Sequence, residues 1–557
     1  MENTSSKKGL LAGRGGRKFK EYLTGYLFIA PSTFLIFIFG IFPVFFALYV
    51  SLHKWRIKRT DMIGLQNYVT AIGNLAYVLV FFLGIAALVG LFFLLRRTIQ
   101  TAREKHDDRF WVTVIPGLIQ ALSIVALFNW AFKALPEILG IADKLRGLER
   151  TQAVFMGLLR EAVNSPLVLP AWRLFKWTFL AGLVIGIGLL FLWKNPRNAK
   201  YQLKFMLSFL LLGGGIGLLY YTAQQVGLAY TVAMAEGTDP GIWPQFISIT
   251  SGMILLFVAW FLWRGAGKQV RGGAFWWRIV AALFLLVGAW LLIGEIPTIV
   301  ASGDKDLWEG LKVTAFFSLG TVPWQLIISL FLAVLLFQQV PGSNVFRIIY
   351  FIPYVTPAIA SAAVFQQMFS NRHSAPVNVL MTWLGIGPQE WLYEPSGIFT
   401  LIGNSLGLNL PAWAGGPSLA LVVIMLHSIW TYVGYDTVIY LAGLGNISHD
   451  LYDSAEVDGA NRWQTFRLIT FPLLSPTTYF LSLIAIIGTF KAFNTIWILR
   501  SNLALGTTDT FSVTIFIEFF EKLRYGYASA MSFILFAIIL ILSLINNRVQ
   551  GSKVFYG

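Results

Sequence analysis

The chain has 557 residues, of which 57% are hydrophobic and 12% charged, with a mean hydropathy of +0.69; that balance excludes a soluble globule. Its formal charge of +16 would suggest nucleic acid on a soluble protein, but here the basic residues mostly flank apolar runs, the distribution expected of membrane loops. With no cysteine, disulfides, thiolate metal sites and cysteine nucleophiles are excluded.

In chain order, the first element is a polar tail (1–21) carrying Lys7, Lys8, Arg14, Arg17, Lys18 and Lys20, which reads as cytosolic and shows no cleavable signal peptide. Twelve apolar runs follow, each near the ~20 residues that cross a ~30 Å hydrocarbon core. They lie at 24–51, 76–95, 111–132, 174–193, 205–223, 244–263, 275–294, 310–336, 346–369, 418–442, 476–499 and 527–546. The expected fold class is therefore all-α: a polytopic helical membrane protein of about 12 transmembrane helices. An even count places both termini in the cytosol. Arg96 to Arg109 holds five Lys/Arg, and Lys194 to Lys204 and Arg264 to Arg278 four each, whereas 224–243 holds none. Two segments run against this pattern: Lys54, Arg56, Lys58 and Arg59 after the first run, and 133–176, which reads as an amphipathic stretch along the outer interface.

Catalytic motifs are missing. Gly267-Lys268 lacks the rest of a phosphate-binding loop, so the chain is not expected to hydrolyse ATP. His53, His106, His373, His427 and His449 are scattered without metal-ligand spacing, and no cofactor is expected. His427, inside a predicted span, is either a hydrogen-bonded interhelical histidine or part of a pathway.

Polar groups within spans ten and eleven are the better lead, since a polar group in hydrocarbon usually faces a cavity or a partner. Counting ~1.5 Å per residue, Tyr435 lies roughly 10 Å from the cytosolic end of span ten and Thr489 roughly 20 Å into span eleven. Both could border a central cavity, with Trp430 and Lys491 on the same pathway. A tyrosine offers a ring to a sugar's C–H face and a hydroxyl to its OH groups, although Tyr435 could equally be interhelical packing. Asp436 and Lys491 differ by roughly 12 Å in depth, too far to pair directly. Asp436 is expected at inner-interface polar groups, and Lys491 at the pathway mouth or snorkelling outward.

Between those spans lies DLYDSAEVDGANRWQTFRLITFP, Asp450 to Pro472. Ser448 can cap a first short helix, and Asp458-Gly459 provides the turn. Asn461 and Gln464 have capping-box spacing for a second helix, and Pro472 is expected to stop it. Its charges could simply be solvated, but Leu451, Ala455, Trp463 and Phe466 add an apolar face that a docking hook needs.

Asp453-Ser454-Ala455, three residues, Gly459, nine residues, then Ile469-Thr470-Phe471-Pro472 resembles the EAA loop of bacterial ABC-importer permeases, with Asp453 for Glu, Ser454 for Ala and Phe471 for Leu. LYDSAEVDGA looks most like the carbohydrate branch, of maltose/maltodextrin type. The resemblance covers 22–70 and 306–557, including FRIIYFIPYVTPAIASAAVF and YGYASAMSFILFAIILILSLI, and it leaves 71–305 as an inserted bundle of about six spans. It implies a type I permease core in the cytoplasmic membrane, with a second permease subunit, an ABC ATPase dimer, an extracytoplasmic solute-binding protein and a carbohydrate substrate; no nucleic acid is implied. The coupling loop, 448–475, would engage the ATPase through Asp453, Ser454, Ala455, Asp458, Gly459, Ile469 and Pro472. Tyr435 and Thr489 fall where sugar-permease relatives place pore-lining residues, and the segment 371–417, with Trp383, Trp391 and Trp413, would face the binding protein. An ion-coupled secondary transporter is the alternative; it would need inverted repeats and coupled buried charges.

Overall fold

A computed structural model describes residues 14–56, 59–192, 197–266, 273–338 and 341–549; Lys7, Lys8, Lys58, Lys194 and the Gly267-Lys268 pair lie outside them. The fold is all-α, apart from a two-stranded hairpin of β1 (His53–Trp55) and β2 (Arg59–Met62). Among the described residues ten helices are long and apolar enough to cross a membrane, and two bent helix pairs raise the number to 12 if each is one span. The chain falls into two compact units, one of residues up to 71 together with those from 300 on, the other of residues 72–299.

The first unit begins with α1 (Arg14–Ile36) and α2 (Phe42–Ser51), joined by a π-helical turn. The hairpin follows, and Asn67 ties it down by donating Nδ2 to the carbonyls of Ser51 and His53, at 2.7 and 3.0 Å. The chain leaves this unit at Ala71 and returns at Val300, and just inside it the Asp304 amide donates to the Ala71 carbonyl at 3.1 Å. The two crossing points are thus neighbours in space.

The second unit contains α3 (Leu75–Glu104), α4 (Val114–Lys144), α5 (Gln152–Val163), α6 (Leu169–Leu192), α7 (Asn198–Ala235), α8 (Ile242–Ala266) and most of α9 (Gly273–Ser302). Without a hydrophobic driving force between helices in lipid, close approach depends on small residues. A Cβ at Gly215 would lie 2.8 Å from the Leu88 side chain and 3.1 Å from the Gly84 carbonyl, so α3 and α7 cross at this glycine pair. Gly252 and Gly288 do the same for α8 and α9. Gly213, Gly214 and Gly217 face open space, so only one glycine of that run packs. The stretch expected to lie as one amphipathic segment at 133–176 is divided: α4 continues to Lys144, and α5 starts anew behind its Thr151 cap. Lys144 Nζ bonds Glu161 Oε1 at 2.9 Å across the gap.

Back in the first unit, α10 (Lys305–Phe337) packs along a later span, and then the run expected as one span at 346–369 is broken. It forms α11 (Ser343–Val355) and α12 (Ala358–Met368), bent by 95°. Pro357 explains the break: its ring disfavours helical backbone at the preceding residue, and Thr356 is extended at φ −64°, ψ 133°. The segment after α12 is organised by Asn378, which is fully buried. Its Nδ2 donates to the carbonyls of Ser370, Arg372 and Gln389, while its Oδ1 accepts from the Gln389 amide and from Trp391 Nε1. Trp391 is therefore an internal strut, packed 5.4 Å from the Phe369 ring; Trp383 and Trp413 are the exposed pair.

The later elements that position the site include α13 (Leu419–Gly445), α14 (His449–Val457), α15 (Arg462–Thr465), α16 (Ser475–Phe490), α17 (Asn494–Leu499) and α18 (Tyr525–Val549). The run expected as one span at 476–499 also breaks. Helix α16 ends at Phe490, Phe493 takes φ −136°, ψ −61°, and α17 restarts at Asn494. The buried core of this unit joins Val313 and Phe317 of α10, Ala362 of α12, Ile424 of α13 and Ile496 of α17.

Candidate functional site

Two features stand out in the first unit, a protruding hook and a cavity, and the helices on either side of the hook, α13 and α16, both line the cavity. The hook forms as its sequence dictates. The Ser448 hydroxyl accepts from the Asp450 amide at the start of α14, and Gly459 turns the chain at φ +76°, a conformation costly for residues with a Cβ. Asn461 Oδ1 accepts from the Gln464 amide at 2.9 Å while Gln464 Oε1 accepts from the Asn461 amide at 2.8 Å, a complete capping box. Pro472 does not stop the second helix. The chain passes through a π-helical turn at Phe466–Thr470, continues to Leu473, and bends by 61° into α16.

Charged and apolar groups share the hook's surface. Asp453, Ser454, Asp458 and Gly459 are exposed, with Ile469 and Pro472 half-buried. Val457 is 88% exposed, Leu468 71%, Trp463 66% and Leu451 44%, a large exposed apolar surface for so short a bend. Trp463 stacks on Phe466 with centroids 5.7 Å apart. Ala455 is buried and faces inward, so it anchors the hook and is not part of the exposed apolar surface on which the sequence put it. The Ser454 hydroxyl is turned back onto the Asp450 carbonyl at 2.7 Å.

The base of the hook is packed into the core of the unit. Leu474, at the 61° corner, is fully buried with Ala333 of α10, Tyr440 and Leu444 of α13 and Leu481 of α16. Tyr452 Oη bonds Thr470 Oγ1 across the two arms, and Tyr440 Oη donates to Thr478 Oγ1, both at 3.2 Å.

From that corner α16 runs about 24 Å to the cavity. The cavity has a volume of about 400 Å³, and Tyr354, Tyr435, Asp436, Thr489, Lys491 and Asn494 contribute its polar lining. Its aromatic wall is ordered: the Tyr354 and Tyr435 rings stack at 4.6 Å and 21°, and Tyr432 meets Tyr354 edge-on at 5.9 Å. Among the described residues no side chain hydrogen-bonds the hydroxyls of Tyr354, Tyr432 or Tyr435. The stack exists because α11 lies backbone-to-backbone on α13, where a Cβ at Gly434 would fall on the Tyr350 carbonyl.

Three of the four residues assigned to the pathway from sequence, Tyr435, Thr489 and Lys491, line this cavity. Trp430 does not; it packs against Phe365 at 5.4 Å and His427 at 6.0 Å. The Thr489 hydroxyl already serves Ser318 Oγ and the Ile486 carbonyl, both at 2.9 Å, which makes Thr489 wall structure more than a free contact. Asp436 is buried and accepts from Gln325 Nε2 of α10 at 2.6 Å, and among the described residues it forms no ion pair with Lys491. His427 pairs with Ser361 Oγ at 3.1 Å, the interhelical alternative. Sequence reading missed Tyr354 and Gln325. Gln325 is an amide in the middle of an apolar run, the criterion that singled out Asp436; Tyr354 carried no signal until the bend brought it over.

Residues 325–552 match the family described as "Binding-protein-dependent transport system inner membrane component", a range that contains the whole hook and all of the cavity wall except Phe317. Among known relatives, the probable ABC transporter permease protein YesP of Bacillus subtilis (strain 168) is 31% identical over 258 residues, covering 46% of this chain and 76% of that protein. The arabinooligosaccharides transport system permease protein AraP of the same organism is 29% identical over 250 residues, 44% and 71% of the two chains. The trehalose/maltose transport system permease protein MalF of Thermococcus litoralis is 28% identical over 245 residues, 44% and 75%.

Proposed function

This chain belongs to the family of inner-membrane components of binding-protein-dependent transport systems, the permease subunits of ABC importers, and we propose that it translocates a carbohydrate and is driven through the Asp450–Pro472 hook. As a permease subunit it is a multi-pass protein of the cytoplasmic membrane, and ATP is hydrolysed by a partner. The proposal assigns the partners as a second permease subunit, an ATPase dimer that receives the hook in the cytosol, and an external solute-binding protein that delivers the sugar. The exposed Trp383 and Trp413 are suited to that last contact.

The observation that carries this reading is the packed path from the hook through the Leu474 corner and α16 to the cavity. The hook ends at the buried Leu474 corner, and the helix leaving that corner supplies Ile484, Ala485, Gly488 and Thr489 to the cavity wall. A docked ATPase that binds the hook differently in its two nucleotide states would shift the wall by leverage on α16, and differential affinity is what an energy-coupled change requires. Both termini would lie in the cytosol, as the basic connections suggest.

Carbohydrate is favoured by the tyrosine wall, whose faces match sugar C–H surfaces and whose free hydroxyls match sugar OH groups. The names of the AraP and MalF relatives support the same class, and the LYDSAEVDGA signature favours the maltose/maltodextrin branch. Tyr435→Phe should keep the stack and lose one hydrogen bond, raising KM for uptake about 2- to 10-fold. Tyr435→Ala removes the stack as well and should cost on the order of 50-fold in uptake kcat/KM. Radiolabelled sugar uptake measures both, and unchanged uptake in Tyr435→Ala would remove the residue from the pathway.

We also assign residues 71–305 as a bundle inserted into a permease core formed by 22–70 and 306–557. The adjacency of Ala71 and Asp304 supports this, because an insertion tolerated by a parent fold leaves and re-enters at neighbouring points.

A further inference from the structure

The 72–299 unit carries a corner that the transport reading does not use, where the end of α3, the start of α4 and the start of α7 meet. Segments 96–109 and 197–204 together leave a surplus of five positive charges there, with Glu104, Asp107 and Asp108 as the acidic members. Asp107 is committed: Oδ2 accepts from Arg197 at 3.0 Å and from Tyr201 Oη at 2.8 Å. Arg97, Lys105 and Lys200 all act electrostatically on Lys204, and among the described residues none of these four cations is in an ion pair. Crowding four like charges is unfavourable without an anion.

Beside this corner, between α6, α7 and α4, lies a groove of about 320 Å³ lined by Gln120, Gly182, Gly186, Ala199, Gln202 and Leu203. Lys200 stands one turn before Leu203 on the same helical face. The rim is open and apolar, with Leu203 52% and Leu183 46% exposed. Its floor is polar: Gln202 is buried, and neither its amide nor that of Gln120 has a hydrogen-bond partner among the described residues. Both amides aim at Gly186, where a Cβ would lie 2.6 Å from Gln202 Nε2 and 3.4 Å from Gln120 Nε2.

We propose that this groove and the basic corner form one binding site for an anionic phospholipid of the surrounding bilayer. The phosphate would sit among Lys200, Lys204, Arg97 and Lys105, the two glutamine amides would donate to glycerol-ester oxygens, and an acyl chain would lie along Leu183, Ile187 and Leu203. Basic clusters at helix ends recognise anionic lipid headgroups in this way. The site is independent of the sugar pathway, because its ligand is a membrane component and its readout is lipid retention.

The test uses the full transporter, reconstituted in nanodiscs of equal phosphatidylglycerol and phosphatidylethanolamine, with retained lipid counted by native mass spectrometry. Wild type should keep phosphatidylglycerol preferentially. Lys200→Gln with Lys204→Gln should lower that retention about 30-fold, leaving the melting temperature in pure phosphatidylethanolamine unchanged. Gly186→Leu, which fills the groove and keeps every charge, should lower retention of both lipids at this site. Equal retention of the two lipids by wild type overturns the proposal, as does undiminished phosphatidylglycerol in the double variant. Complete displacement by free glycerol phosphate would also overturn it, since a soluble anion would then suffice.

Discussion

Combining Trp463→Ala with Leu468→Asp is expected to abolish ATP-driven uptake and co-purification of the ATPase while leaving the chain folded. Both side chains are mostly exposed, so their loss touches no core, and substitutions at such positions usually change stability by less than about 0.5 kcal/mol. In a docked complex the same side chains become buried apolar anchors. Losing an interface anchor costs about 2 kcal/mol or more, so two together weaken docking on the order of a thousandfold. Introducing Asp in place of Leu468 adds an unpaired charge to the interface, which pushes the same way. The control acts through the backbone: Gly459→Val, with φ +76° and open space around it, should fail through strain alone, and Gly459→Asn should recover part of the uptake. Uptake by vesicles, ATPase stimulation and a pull-down of the ATPase measure all three variants. If the Trp463/Leu468 variant assembles and transports like wild type, the hook is not the docking element.

Gly434→Ala should be nearly as damaging, for a reason that lies inside the membrane. The new Cβ would fall on the Tyr350 carbonyl and lie 3.1 Å from the Phe351 amide nitrogen. A backbone cannot swing aside as a side chain can, so α11 must move off α13; overpacking of this kind costs about 1–3 kcal/mol. The shift also separates Tyr354 from Tyr435 and distorts the cavity. Transport should fall at least tenfold and the melting temperature should drop. Gly488→Ala is the comparison, because a Cβ there meets nothing within 4 Å although the residue lines the same cavity. It should leave stability unchanged and affect only the fit of substrate. Equal melting temperatures for Gly434→Ala and wild type would show that the α11–α13 contact is looser than described.

What could be read from the sequence were the features fixed by local chemistry. Apolar runs of span length located the crossing helices, and the Ser448 cap, the Gly459 turn and the Asn461–Gln464 box form as their side chains require. Features that depend on what lies opposite could not be read this way. Nothing local at Gly434 distinguishes it from Gly488; only the backbone of Tyr350 does. Trp430 and Tyr435 sit five residues apart on one helix, and the difference between packing on Phe365 and facing the cavity is set by α11 and α12. Ala455 was expected on the apolar docking face with Leu451, Trp463 and Phe466, yet it is buried in the hook. Pro472 looked like a stop, but the helix runs on through a π-helical turn to Leu473 and the bend falls at Leu474. The breaks in the two expected spans differ in kind. Pro357 was a visible cause of one, whereas the interruption at Lys491–Phe493 follows from tertiary packing of Phe493 and Trp497 on Phe516, 4.6 and 4.7 Å away.

The most direct test uses the absence of cysteine, which leaves no background labelling. Val457→Cys at the exposed tip of the hook should resist a membrane-impermeant maleimide applied outside intact cells, and in inverted vesicles it should cross-link to the ATPase with a yield that changes with nucleotide. Labelling from outside, or cross-linking only to an external binding protein, would contradict the account.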